Sequence, residues 1–485
     1  MSKQRIAQFV TVALLSTALV WRVVGLPASD NPLTVHEWGT FTALQDDNGR
    51  AMGAINSDDE PVPPFVCATS HFWNTSAQTP LTPGLAGKGI MPCHPDVTMR
   101  LETPVIYFYP PAGHQAAPLN VQVTFHGGWL TEFYPLAAVE APDLLNSQSA
   151  YPPLTAATNG SLAWKGVQLG ASGALTATDD PVWTAPREVA RAAVVKVPSP
   201  NGSAEDPRTR PEKFLFYRGV GHINSPLRAV RDPQTDQLSL YADLSAIDRA
   251  SRGPGAGELW VPAAWLIEIR PGDGFCAFRP ITGALDLDAP TDQPLATFPA
   301  GFAPADFSAG RLQALHAAMH GALVSAGLFP DEATAMLKTW ELSYFKSPGR
   351  RLFYMTPRAW TDQVLPLTIP GAKITRAMVG RIELVTPGER ESLARIAAGP
   401  CPDMSQFPQA YFTSLNRFTG DASSPAGQAL RRSATLAELK VPVPAVYQDF
   451  LDLGRFRDAL VLNEEKRHPT EALAAFIASN RLQAR

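Results

Sequence analysis

The sequence predicts a mainly β fold with a helical C-terminal part: an antiparallel β-sandwich-like body that carries a helical hairpin. Three observations lead there. Runs rich in Val, Ile, Thr and aromatic residues recur from Leu33 to about Pro290, many alternating with the period of two of a half-buried strand. The 46 prolines and 35 glycines break up 485 residues too often for a bundle of long helices. Helical periodicity dominates only beyond residue 305. No βαβ alternation and no glycine-rich loop after a strand is visible, which argues against a Rossmann fold. Charged residues at 18% and hydrophobic residues at 45% exclude a disordered chain or a coiled coil. A net charge of −4 argues against nucleic acid as a partner.

Residues 1–28 read as a signal peptide or an N-terminal membrane anchor. Lys3 and Arg5 form a basic start, and Phe9 to Trp21 is an apolar core of 13 residues. Cleavage after Gly25 would leave Val23 and Gly25 at the small-residue positions, whereas Phe9 to Pro27 could span a bilayer if Arg22 snorkels. Both readings put the body in the periplasm or outside the cell, free or tethered to the inner membrane.

Residues 29–304 form the expected β-rich body. Its strand candidates are Val35 to Leu44, Val97 to Tyr109, Leu119 to Phe133, Val189 to Val197, Lys213 to Gly219, Leu238 to Leu244 and Glu258 to Ile269. Irregular stretches at 45–95 and 136–185 separate some of them. Residues 305–346 form the hairpin, read as a possible insertion. Its first helix, Arg311 to Ala326, carries Leu312, Leu315, Met319 and Leu323 on one face and stops at Gly327. Its second opens at Pro330-Asp331-Glu332 and buries Met336, Leu337, Trp340 and Tyr344. A strand pair within 347–390, Arg351 to Thr356 and Thr375 to Val385, is expected to pack on the β body. Residues 391–485 read as mostly helical, most clearly Ala445 to Arg467 and Glu471 to Asn480.

The four cysteines are Cys67, Cys93, Cys276 and Cys401. An even count in an oxidising compartment predicts disulfides. Cys67 with Cys93 closes a loop-rich stretch, and Cys276 with Cys401 would tie the β body to the C-terminal part.

Several segments are similar to a family of exported bacterial proteins. They are His36 to Thr42 (HEWGTFT), Glu102 to Tyr109 (ETPVIYFY), Phe216 to Gly221 (FYRGVG), Met336 to Trp340, Leu365 to Ile369, Val379 to Glu383 and Gly454 to Leu460. The resemblance implies export and one architecture over most of the chain. It carries over no activity and no catalytic residue.

Some side chains have the chemistry of a site. His36 and Glu37 are acid/base or metal-ligating types, but neighbours in a strand point to opposite faces. Val35, Glu37, Gly39 and Phe41 share one face; His36, Trp38 and Thr40 share the other. If the first face is inward, Glu37 is buried and needs a partner such as Arg100, Arg218 or Arg381. Glu102 and His126 are the companions a metal-dependent hydrolase would recruit. Cys67, His71, Cys93 and His94 could hold zinc, although the spacing is that of no standard finger. His316 and His320 lie one turn apart on a helix and could chelate a divalent metal, with Glu332 or Glu341 as a third ligand, yet Ala317 stands where a zincin has its base. Ser343-x-x-Lys346 has nucleophile spacing but lacks companion motifs. Arg350, Arg351 and Arg358 around Phe353 and Tyr354 could grip an anion or blunt a sheet edge. No complete nucleophile, metal or phosphate constellation emerges. The sequence therefore favours binding or scaffolding, with an unknown protein or carbohydrate ligand, over a metal-dependent hydrolase built on His36 or Glu37 with Glu102 or His126.

Overall fold

Alternating apolar residues in long strands need a partner on each edge and a layer on each face. A computed structural model of the chain shows how both are provided. It describes residues 33–57, 62–69, 90–111, 117–145, 147, 149–199, 206–246, 259–270, 274–283, 285–290, 292–399, 445–480 and 482.

The first strands are β1 (Leu33–Gln45), β2 (Cys67–Ala68), β3 (Met99–Tyr109), β4 (Leu119–His126), β5 (Gly128–Tyr134), β6 (Ala138–Glu140), β7 (Asn159–Leu169), β8 (Val195–Lys196) and β9 (Leu215–Gly221). They are followed by β10 (Leu227–Asp232), β11 (Gln237–Ala242), β12 (Trp260–Val261), β13 (Ala264–Ile269), β14 (Cys276–Pro280), β15 (Leu285–Asp286) and β16 (Ala296–Pro299). The last are β17 (Gly349–Met355), β18 (Leu367–Thr368) and β19 (Ala372–Leu384). A mixed sheet of 14 strands dominates, in the order β14-β13-β17-β19-β1-β3-β9-β5-β7-β4-β18 with β2, β6 and β8 attached at its side. Strands β10, β11 and β16 form a three-stranded sheet, and β12 pairs with β15.

The expected antiparallel order is corrected at the centre. Strand β1 runs parallel to β19 over its whole length, from Leu33 opposite Ala372 to Gln45 opposite Leu384, and antiparallel to β3. The late strands β17 and β19 thus lie inside the sheet.

The period of two sorts side chains between the faces. Val35, Phe41, Ile106, Phe108, Leu215, Tyr217, Leu352, Met378 and Ile382 join one apolar cluster, which also takes Leu227, Ala229, Leu238 and Leu240 of the three-stranded sheet. The opposite face carries two clusters. One gathers Trp38, Val105, Tyr107, Phe216, Phe353 and Val379. It packs under α1 (Pro181–Arg187), α2 (Ala309–Ser325) and α3 (Pro330–Thr339) through Trp183, Leu315, Met319, Leu323, Met336 and Leu337. The chain then makes a π-helical turn, Glu341–Lys346, and a short helix α4 (Arg358–Val364). The other cluster gathers Leu44, Val97, Trp129 and Val220. It lies under α5 (Pro387–Ala398), α6 (Ala445–Asp452), α7 (Arg457–Arg467) and α8 (Glu471–Asn480). The single helix expected from Ala445 to Arg467 is broken at Gly454, which takes φ +68°, a left-handed conformation that glycine adopts freely.

The disulfides are a second correction. Cys67, Cys93 and Cys276 are buried, and none is bridged. Packing separates the expected pair. Cys67 sits on β2 opposite Phe133 in the first cluster, while Cys93 lies in the cluster under the C-terminal helices, its thiol 3.7 Å from Asp458. Cys276 opens edge strand β14, and Cys401 lies outside the described residues. Burial pushes the Cys67 thiol up to about 12 and the Cys276 thiol up to about 11, so little nucleophilic thiolate forms. Both should resist iodoacetamide at mildly alkaline pH in the native chain and react, without added reductant, once it is unfolded. Mass spectrometry of the labelled chain checks this.

Among the described residues no helix is long and apolar enough to cross a membrane. The N-terminal segment read as a signal or anchor lies outside them.

Candidate functional site: a buried arginine belt

The side chains singled out in the sequence do not converge. His36 and Glu37 face opposite sides of the sheet. His36 Nδ1 lies 2.7 Å from Glu332 Oε2, beside Phe329 and Tyr109. Glu332 is fully buried at the start of α3 and also accepts from Tyr109 Oη and the Phe329 amide, each at 2.6 Å. Glu37, on the face of Val35 and Phe41, accepts from Tyr217 Oη at 2.5 Å and is paired with Arg376. Its partner is thus Arg376, and none of the three arginines expected. Arg376 also donates to Asp362 Oδ1 at 2.8 Å and to the Leu365 carbonyl at 2.6 Å. Burial works against the Arg376 charge, yet Glu37, Tyr217 and Asp362 hold its pKa above the ordinary value.

His126 is exposed at the end of β4. His94 is buried, its Nε2 2.8 Å from the Pro152 carbonyl while its Nδ1 accepts from the Asp96 amide at 3.2 Å, and burial lowers its pKa. That is a neutral, structurally engaged imidazole, and His71 lies outside the described residues. His316 and His320 line an open groove of about 490 Å³ with Glu341 and Phe345. There His320 Nε2 is 3.1 Å from the Pro330 carbonyl. Among the described residues no three His, Cys, Asp or Glu groups come together as metal ligands would. Ser343 is buried, whereas Lys346 is exposed beside Glu341, so the pair is not formed.

What the fold does assemble is a polar belt between the two apolar clusters on the helix-covered face. It crosses the central strands in register. Arg351 on β17 lies opposite Glu383 on β19, Arg381 on β19 opposite Thr42 on β1, and Thr42 opposite Arg100 on β3. Arg218 on β9 then lies opposite Glu132 on β5. Each strand turns from apolar to polar at this level. On β1 the order is Trp38, Thr40, Thr42, Leu44; on β9 it is Phe216, Arg218, Val220.

Local backbone irregularity aims the belt. The β1–β3 register shifts between Trp38 and Thr40, and the β3–β9 register shifts between Leu101 and Val105. At that bulge Thr103 takes φ +44°, strained for a β-branched residue, and precedes Pro104. Its hydroxyl accepts from Arg218 Nε at 3.1 Å. The bulge presents Glu102 to Arg100 at 3.0 Å and to Arg455 at 3.2 Å.

The belt is nearly dry. Arg100, Arg218 and Glu102 are fully buried, and Arg351 and Arg381 are within 1% of it. Arg351 donates to the carbonyls of Ser343, Tyr344, Ser347 and Pro348 and pairs with Glu383. Arg381 also pairs with Glu383. Burial pulls the Arg455 guanidinium down to about 9 and lowers Arg351, with Glu383 opposing the shift at Arg351. Five arginines here, Arg100, Arg218, Arg351, Arg381 and Arg455, face three glutamates, Glu102, Glu132 and Glu383. Several donors lack an acceptor among the described residues: Arg381 Nη1, Arg218 Nη2, Thr42 Oγ1, Ser343 Oγ and Trp340 Nε1. A buried donor without a partner destabilises by about 1–3 kcal/mol, more when it is charged.

The segments that carry the resemblance supply much of this belt. Thr40 and Thr42 belong to the first, Glu102 and Thr103 to the second, Arg218 to the third, Arg381 and Glu383 to the Val379 stretch and Arg455 to the tail. No family model matches the chain, and no curated protein does either. From the sequence, Arg100, Arg218 and Arg381 stand only as partners for Glu37, and Arg351 only within a charged set; their assembly into one belt was missed because it depends on strand pairing. One available signal was that Arg218 and Arg351 each stand two positions from a buried aromatic on the same face, Phe216 and Phe353.

Glu389 borders the belt at the first turn of α5, where it accepts from the Thr386 amide at 2.6 Å. Burial raises its carboxyl from 4.5 to about 7; Thr386 and Arg351 oppose the rise and Glu383 adds to it. Because the folded value lies above the unfolded one, the stability from this group is fully present below about 4.5 and is lost as pH rises through about 7. Urea unfolding at fixed ionic strength should show a fall on the order of 1–2 kcal/mol over that window. Glu389→Gln should flatten it.

Proposed function

We propose that the chain is an exported binding protein whose ligand is held at the arginine belt, and that it does not act as a hydrolase. The observation that carries this reading is the surplus of buried, acceptorless donors, led by Arg381 Nη1 and Arg218 Nη2, at the boundary between two packing zones. Such groups are stable in a core when something supplies the missing acceptor. The basic and apolar N-terminal segment supports export. We read the three-stranded sheet, which shares an apolar cluster with the large one, as the second layer of a sandwich-like body. We read α2 and α3 as an inserted hairpin that roofs the belt's apolar side.

The metal-dependent alternative draws less support, because His36, Glu37, Glu102 and His126 lie on different faces or ends of the sheet and the first three are already engaged by partners. The test uses the purified full chain. Native mass spectrometry should find a small-molecule adduct, released on denaturation and absent from Arg218→Met. Metal analysis should find less than one transition metal per chain, unchanged in His36→Ala. A stoichiometric metal lost in His36→Ala would overturn the reading.

A further inference from the structure

One end of the belt has a donor set of its own. The π-helical turn Glu341–Lys346 is a local widening of the helix, a deviation that often marks a functional site. It places Tyr344 against the sheet. The Tyr344 ring is stacked on Trp340 at 5.8 Å, lies under the Arg381 guanidinium at 5.9 Å, and its hydroxyl is hydrogen-bonded to Thr40 Oγ1. The carbonyls of Ser343 and Tyr344 are already taken by Arg351. On the turn and strands beside this ring four groups have no hydrogen-bond partner among the described residues: Arg381 Nη1, Trp340 Nε1, Ser343 Oγ and Thr42 Oγ1, the last on the residue directly across the strand pair from Arg381. Their residues are at most 2% exposed. Two are obligate donors, and two are hydroxyls able to donate or accept.

Charge narrows the class of ligand. At this end Arg351 and Arg381 share one carboxylate, Glu383, and the neighbouring Glu389 carboxyl is pushed up to about 7 by burial, so below that pH the balance among these groups is a single positive charge. A guanidinium fork matches the two oxygens of a carboxylate, and a singly charged carboxylate would neutralise the excess. A doubly charged phosphate would reverse it. Hydroxyl and indole donors beside the fork supply the remaining bonds that a buried carboxylate needs.

We propose that the Tyr344 end of the belt is a binding site for the carboxylate group of a small organic acid, held by Arg381, Thr42, Ser343 and Trp340. This inference rests on the binding-protein reading above and names its ligand class. It assigns Arg381 as the primary anchor and Thr42 and Ser343 as discriminating donors.

The test is thermal unfolding and titration calorimetry on the full chain with formate, acetate and succinate. Phosphate and chloride at equal ionic strength are the comparators. At least one carboxylate should raise the unfolding temperature saturably, while phosphate and chloride should not. Arg381→Lys should abolish the response. Because Arg381 is buried inside the sheet and its replacement also tests folding, Thr42→Val and Ser343→Ala serve as near-isosteric tests that keep the charge. Each should weaken binding by about tenfold, the loss of one good hydrogen bond. Wild-type affinity in both variants would overturn the site. A saturable response to phosphate alone would overturn the ligand class. If no anion binds the inference fails, and a Thr42→Val variant less stable than wild type would then show that this hydroxyl bonds internally. An adduct that persists by mass spectrometry in Arg381→Lys but not in Arg218→Met would leave the binding reading standing and place its ligand elsewhere on the belt.

Discussion

Replacing Arg376 by methionine is expected to destabilise the chain by about 3–5 kcal/mol, the usual loss when one member of a buried ion pair is removed. The loss comes from the partner left behind. Glu37 is fully buried in the centre of the sheet, on the face of Val35 and Phe41, and would retain only the Tyr217 hydroxyl. Asp362 loses less, because it is partly exposed and keeps Arg358. Urea unfolding followed by tryptophan fluorescence measures the effect. The double variant Glu37→Leu/Arg376→Met should recover much of the loss, since two apolar groups leave no uncompensated charge. A double variant as unstable as the sum of the single ones would mean that the pair contributes through geometry alone.

Gly219→Ala is expected to be nearly as damaging, by about 3 kcal/mol, through overpacking. A Cβ there would lie 2.4 Å from the Trp129 carbonyl oxygen, a backbone atom that cannot rotate away. Leu130 on the neighbouring strand pairs directly with Gly219, so relief would require β5 and β9 to separate beside Arg218 and Glu132. Gly321→Ala in α2 is the matched control. Nothing lies within 4 Å of its Cβ, and it should stabilise the helix by about 0.5–1 kcal/mol. The same unfolding curves read both variants. If Gly219→Ala proved neutral, the close approach of β5 to β9 would be wrong.

What the sequence made legible was local. The alternation in His36 to Thr42 separates His36 from Glu37 and buries Glu37, and the strand does so. The helical stripe Leu315, Met319 and Leu323 is buried as its spacing requires. What stayed hidden was pairing. Nothing in the composition of β1 says that its neighbour lies more than three hundred residues away and runs parallel, so Arg376, which stands opposite Glu37 in that register, was not among the expected partners. The same blindness affected Arg351. Three arginines near one strand suggest a charged edge, but β17 is flanked by β13 and β19, and Arg351 is used up inside the sheet. The cysteines failed for a related reason. Chain separation favours Cys67 with Cys93, while packing assigns them to different clusters. The Thr103 bulge had a visible cue, proline inside a strand-like run, whose consequence for Glu102 needed the partner strands.

The parallel pairing of β1 with β19 also sets the order in which the molecule can be made. Leu33 to Gln45 finds its two neighbours at Met99 to Tyr109 and at Ala372 to Leu384. Until the second of these leaves the ribosome, β1 is an unfinished edge. Contacts of such sequence separation are slow to form, because a long loop must close before they stabilise anything. The sheet therefore cannot close during synthesis of the first three quarters of the chain, and any chain that ends before β19 leaves a largely buried central strand open to pairing with another chain. Late completion makes premature termination a route to aggregation.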